Sequence, residues 1–292
     1  MRLGFLGSPS FAVHVLDELV DHGHDVALVV TRADKRRGRG SASSPTPVKA
    51  EAVRLGIEVT EKVGDLAGAG VELGIVVAYG AIVPAAVLEV VPMLNLHFSL
   101  LPRWRGAAPI ERAILAGDVW TGVSVMGLEP TLDTGPVYAR AEVPVEDKDL
   151  ETLRKELVVL GAALLVHELE GGRSGLSVPE PQHGEPTYAA KVTDDELELD
   201  FTRPAVEVAR VVRLGRARTV AAGRRLAVRR AEVLDAADGR PGELHGDVVT
   251  CGRGGLRLVS IVPEGRREMD AWSWRRGLRD GAPTHLGRQR DL

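Results

Sequence analysis

The chain has 292 residues, 44% hydrophobic and 27% charged, a composition expected of a globular protein long enough for two domains. No apolar run approaches the roughly 20 residues that a membrane helix needs, and the single cysteine, Cys251, excludes an intrachain disulfide and a thiolate zinc cluster. The net charge of -4 conceals an asymmetry: Thr202–Leu292 carries nineteen arginines against eleven acidic residues, a net of +8, while residues 1–201 carry -12. A basic C-terminal portion on an acidic body points to a polyanionic partner.

Taken in chain order, "RLGFLG" (2–7) is a short apolar strand, so the N-terminus reads as buried structure rather than a signal peptide, and the expected location is the cytoplasm. Residues 9–23 have apolar positions at helical spacing and stop at a glycine. Strands are expected at 25–31, 73–80, 93–99 and 121–129, with helices at 48–56, 84–91 and 109–117 between them. This alternation, with near-continuous apolar strands, predicts an α/β domain: a Rossmann-like, mostly parallel sheet with helices on both faces. Residues 137–145 alternate in period two and read as an outer strand. Residues 149–172 form the longest helix, with Asp149 as its cap. The proline-punctuated segment 176–200 reads as a connector. Beyond it, a short helix (205–215) precedes glycine-broken alternating strands, the pattern of a small β-barrel.

Chemistry concentrates at the end of the 93–99 strand. Asn95 and His97 are two residues apart, so their side chains share one face, at the carboxyl edge where open α/β sheets build sites. An amide can donate to a developing oxyanion and an imidazole can exchange protons near neutral pH. The pair suits attack on a carbonyl carbon without a covalent enzyme intermediate. A third group is expected, and Asp133 in "LDTGP" supplies a carboxylate on a tight turn. The remaining histidines lack zinc-site spacing, so no metal is expected. The loop after the first strand has neither G-x-G-x-x-G nor a P-loop, which argues against nucleotide binding. A long loop at 31–49 carries Lys35, Arg36, Arg37, Arg39 and Lys49, which suit a phosphate backbone.

"NLHFSLLPRWRGAAPI" (95–110) with "LDTG" (132–135) resembles the folate-dependent formyltransferases, in particular the branch that acts on aminoacylated tRNA. "GSPSFAV", "SPTPVK", "VVAYGAIVP" and "TYAAK" carry the likeness through about residue 200. The resemblance implies a catalytic domain over 1–190, a linker over 191–202 and a basic, tRNA-binding, OB-like barrel over 203–292. It implies a monomer that moves a formyl group from 10-formyltetrahydrofolate to the α-amino group of methionyl initiator tRNA. Asn95, His97 and Asp133 match the family's catalytic trio. Ser99, Leu100, Leu101 and Pro102, with Ala78, Tyr79, Gly80, Ile82 and Val83, match its folate-contacting positions, and the basic loop around Arg39 matches the segment that enters the tRNA acceptor end. Two departures stand out. The proline-rich segment usual before the barrel is missing, and Phe201 replaces a tryptophan. The rival readings are a sugar-nucleotide N-formyltransferase using the same donor, a non-catalytic RNA-binding protein, and a 10-formyltetrahydrofolate hydrolase. The sequence leaves open whether Arg103, Trp104 and Arg105 touch RNA or brace their loop.

Overall fold

The computed structural model describes residues 1–36, 43–278 and 284–287. Two compact units are present: Met1–Ile110 with Trp120–Pro144 and Arg154–Ala190, and Glu111–Val119 with Val145–Leu153 and Lys191–Leu292. The first part of the chain runs β1 (Arg2–Gly7), α1 (Ser10–Asp21), β2 (Asp25–Val30), a two-residue ladder of β3 (Lys35–Arg36) with β4 (Ser43–Ser44), α2 (Pro47–Arg54), β5 (Glu58–Thr60), β6 (Leu73–Val77), α3 (Ala85–Leu88) and β7 (Met93–His97). It continues through β8 (Arg105–Gly106), α4 (Pro109–Ala116), β9 (Trp120–Gly127), β10 (Val137–Pro144), α5 (Leu150–Leu169) and β11 (Tyr188–Ala189).

The main sheet has the order β10-β9-β7-β6-β1-β2-β5. Its pairs are parallel from β5 to β7, whereas β9 runs antiparallel to both β7 and β10. The mostly parallel α/β expectation therefore holds, and one strand is reversed. Strands β6 and β7 are buried at every position, and β1 at all but the first, the burial of a sheet covered on both faces. Fully buried Leu3, Phe5, Leu6 and Leu96 each contribute about 1.5–3 kcal/mol through removal from water. Local signals set the helix starts. The Thr46 hydroxyl accepts the Lys49 N–H at 3.1 Å, with Pro47 in the first turn, and Asp149 accepts the Thr152 N–H at 2.8 Å.

In the C-terminal unit, α6 (Ala205–Arg213) is followed by β12 (Arg218–Ala221), β13 (Arg224–Leu234), β14 (Leu244–His245), β15 (Val248–Thr250), β16 (Gly255–Pro263), β17 (Met269–Asp270) and α7 (Ala271–Arg276). The sheet order is β12-β13-β16-β15-β14, with β17 also on β16. Bridges from Leu286 to Ala221 and from His285 to Glu243 join the two open sides and close the sheet into a small barrel. Leu226, Val228, Leu256, Leu258 and Ile261 fill its core with Phe201 and Trp274. Phe201, at the position where the family usually has tryptophan, is thus a core residue.

Arg112 donates to both carboxylate oxygens of Glu196, at 2.5 and 3.2 Å, and the Thr193 N–H donates to Glu196 at 2.9 Å. These hydrogen bonds, Arg112 first, hold the Glu196 carboxyl down at about 2 against an ordinary 4.5. A folded value below the unfolded one contributes stability that is fully present above about pH 4.5 and is lost as the pH falls toward about 2. Because the carboxylate is more than a third exposed, solvent screening reduces the size of the effect. Glu196→Gln is expected to flatten the acid-side loss of stability over that window, as read by urea denaturation at stepped pH.

Candidate active site

Strand β7 presents its residues alternately to two faces. Leu96 points away from Asn95 and His97 and packs on α5 at Gly161, where a Cβ would sit 3.0 Å from Leu96 Cδ2. The absence of a side chain at Gly161 lets the helix lie close against the strand, and this seats the other face. On that face Asn95 and His97 are 9% and 6% exposed. Among the described residues the Asn95 side-chain amide makes no hydrogen bond, so its donor remains available to a ligand. The His97 Nε2–H donates to the Trp104 carbonyl at 2.9 Å, and Nδ1 faces Asp133 Oδ2 at 3.7 Å. With Nε2 fixed, Nδ1 is the nitrogen turned toward the carboxylate. The 3.7 Å separation exceeds a hydrogen bond.

Asp133 follows β9 on a loop that returns to β10. Its backbone is left-handed, φ 50°, an uncommon conformation for a residue other than glycine. The carboxylate is buried and its Oδ2 accepts the Gly106 N–H at 2.7 Å. Two residues on, a Cβ at Gly135 would lie 1.9 Å from the Gly127 carbonyl, so the loop closes only with glycine there. The neighbouring loop is equally constrained. Trp104 is also left-handed, φ 61°, which aims its carbonyl at His97, and the Arg103 guanidinium lies 4.6 Å over its ring. The Trp104 N–H donates to Thr187 Oγ1 at 2.9 Å, and β8 pairs in parallel with β11. Asp133, distant in sequence, thus sits in one unit with Asn95 and His97, with the two loops that flank them hydrogen-bonded together.

The chain that carries this site has relatives among known proteins. Residues 1–169 match the formyl transferase family and residues 191–279 its C-terminal domain. The methionyl-tRNA formyltransferase of Novosphingobium aromaticivorans is 44% identical over 98% of this chain and all of its own length, and that of Clavibacter sepedonicus is 42% identical over 95% and 97%. The chain belongs to the methionyl-tRNA formyltransferase family. Among solved structures, an N-formyltransferase from Helicobacter canadensis superposes with a TM-score of 0.69 at 14% identity, covering 92% of this chain and all of its own, and shares the fold. HypX from Aquifex aeolicus does so at 0.67 and 18% identity over 96% of this chain, which spans about half (48%) of HypX.

Within this formyltransferase, the positions matched to the folate donor divide by burial. Ser99 is fully buried, its hydroxyl donating to the Arg103 carbonyl at 2.6 Å, and Leu101 packs with Met126 and Val137. Leu100 and Pro102 are half-buried. Tyr79 and Val83 belong to a core cluster, and burial pushes the Tyr79 hydroxyl upward. Ala78, Gly80 and Ile82 are exposed, Ala78 and Gly80 with left-handed backbones, and Arg32 donates to the Gly80 carbonyl. The register of Val76 with Asn95 places the Ala78–Gly80 turn beside the loop that follows β7. In the basic loop, Lys49 pairs with Asp34 at 3.0 Å, so its charge is already shared. Lys35 and Arg36 contribute a backbone ladder with Ser43 and Ser44, while Arg37 and Arg39 lie outside the described residues. Sequence reasoning missed Gln182 and Thr187, both in the segment read as a connector. Thr187 had one signal, its place in "TYAAK", and Gln182 had none.

Proposed function

We propose that this protein transfers the formyl group of 10-formyltetrahydrofolate to the α-amino group of methionyl initiator tRNA, as a cytoplasmic monomer. The observation that carries the reading is His97, held at Nε2 by the Trp104 carbonyl and facing Asp133 through Nδ1, beside an unpartnered Asn95 amide. The acceptor is supported by the names of the full-length relatives and by the net +8 of Thr202–Leu292. The folate donor is supported by the family match and by a HypX structure in complex with tetrahydrofolic acid, which shares the fold.

In this reading the neutral amine attacks the formyl carbon, a new C–N bond forms, and the carbonyl electron pair moves to oxygen. The Asn95 amide donates to that oxyanion where charge develops, and so does the Nδ1–H of His97 when the ring carries both protons, since Nε2 is committed to the Trp104 carbonyl. Asp133, its carboxylate facing the ring, relays the proton leaving the attacking nitrogen toward N10 of the folate as the C–N10 bond breaks. Ser99, through its buried hydroxyl, shapes the loop after β7, and the half-buried Leu100 and Pro102 with the exposed Ala78–Gly80 turn and Ile82 meet the folate. Leu101, Tyr79 and Val83 support that wall from the core. Lys35, Arg36, Arg37 and Arg39 meet the tRNA acceptor end, and Lys49 anchors the base of their loop through Asp34.

A stoichiometry assay tests the reading. Tetrahydrofolate and formyl-methionyl-tRNA should appear one for one. Folate turnover without formylation of the amine would replace transfer by hydrolysis.

A further inference from the structure

The segment between α5 and β11 does more than connect. Glu180 exchanges backbone hydrogen bonds with Val137 at the edge of β10, Gln182 follows, and Thr187–Ala189 pair along Trp104–Gly106. Gln182 sits at the centre of this weave. Its Oε1 accepts from Arg105 Nε at 3.0 Å and Nη2 at 2.7 Å. Its Nε2 donates to the carbonyls of Asp133 at 2.9 Å and Gly135 at 2.8 Å. A guanidinium can only donate and carbonyls can only accept, so a single orientation of the amide satisfies all four contacts. The two carbonyls belong to the turn whose left-handed Asp133 aims the carboxylate at His97. Arg105 in turn adjoins Gly106, whose N–H holds that same carboxylate oxygen. The Gln182 amide thus holds the backbone of the Asp133 turn, while the Gly106 N–H, next in chain to Arg105, holds its carboxylate.

We propose that Gln182 is a positioning residue for formyl transfer: it holds the strained Asp133 turn so that the carboxylate keeps its place beside His97. The proposal rests on the role given to Asp133 above. Gln182 touches none of the reacting atoms, and its proposed effect runs through its two hydrogen bonds to the Asp133 turn. Gln182→Leu removes all four hydrogen bonds at similar volume. Gln182→Glu keeps an acceptor for Arg105 and sets an oxygen against the two carbonyls in place of the N–H groups.

The test is a double-mutant cycle on the full-length protein, read as kcat and as KM for 10-formyltetrahydrofolate and for methionyl initiator tRNA, with thermal melts as a folding control. Gln182→Leu and Gln182→Glu should each lower kcat between about tenfold and a hundredfold, the scale of a catalytic group displaced by about an ångström. Both KM values should stay within about twofold, the pattern of an interaction used only in the transition state. Adding Gln182→Leu to Asp133→Asn should cause no further loss, because residues acting through one another do not add. Wild-type kcat in both Gln182 variants, or a loss that multiplies with that of Asp133→Asn, would overturn the proposal. Full activity in Asp133→Asn alone would instead overturn the role given to Asp133.

Discussion

Replacing Asn95 by alanine is expected to lower kcat by roughly two to three decades, about 3–4 kcal/mol, the scale on which one oxyanion donor acts in a preorganised site. The amide is 9% exposed and has no partner among the described residues, so removing it costs the fold little hydrogen bonding. Nor does it disturb the neighbours that matter, since Leu96 packs on the opposite face and His97 is held by the Trp104 carbonyl. The loss should therefore appear in kcat, with KM for the folate and the tRNA nearly unchanged, because the donor acts on charge that exists only in the transition state. Steady-state kinetics on a variant with a wild-type melting curve checks this. Unaltered kcat would remove Asn95 from the chemistry.

Asp133→Asn is expected to lower kcat by roughly two to four decades, the range over which positioned proton transfer contributes. The substitution separates charge from geometry. Oδ2 of Asp133 accepts the Gly106 N–H at 2.7 Å, and an asparagine oxygen can take that bond in the same place. The turn also keeps its backbone contacts to Gln182, which reach the carbonyls of residues 133 and 135 rather than the carboxylate. What disappears is the negative charge facing His97 Nδ1 at 3.7 Å and the group that takes up a proton. Rapid-quench measurement of a single turnover isolates this chemical step from product release. A single-turnover rate equal to that of the parent protein would mean that Asp133 acts through its shape alone.

Much of the candidate site's layout is legible in the chain. The i, i+2 spacing of Asn95 and His97 on an apolar strand fixes their common face, and that is a property of the pleat, independent of what lies around it. Asp133 could be found because "LDTGP" combines turn-forming residues with a carboxylate, and the left-handed backbone at that aspartate agrees with the turn reading. The direction of β9 was not legible. It is buried at six consecutive positions, and periodicity reports burial, not polarity of pairing. Helix α7, only six residues long, is too short to show a helical period.

The oddest residues of the 95–110 stretch needed tertiary information. Trp104 matters through a carbonyl, which no side-chain pattern encodes, and Arg105 through a partner 77 positions away. Prolines and polar residues made the 176–187 segment look like a connector, yet its hydrogen bonds run to β10, the Asp133 turn and β8. Ser99 was matched to the folate by position along the loop. Its full burial turns the hydroxyl inward, where it ties Ser99 to Arg103.

The central claim concerns the acceptor, and a competition assay tests it most directly. The full-length protein would be given labelled 10-formyltetrahydrofolate with methionyl initiator tRNA and an amino-sugar nucleotide together, at equal concentration. The account predicts label on the methionyl α-amino group, lost on Asn95→Ala, with none on the sugar amine. Label on the sugar alone would contradict it.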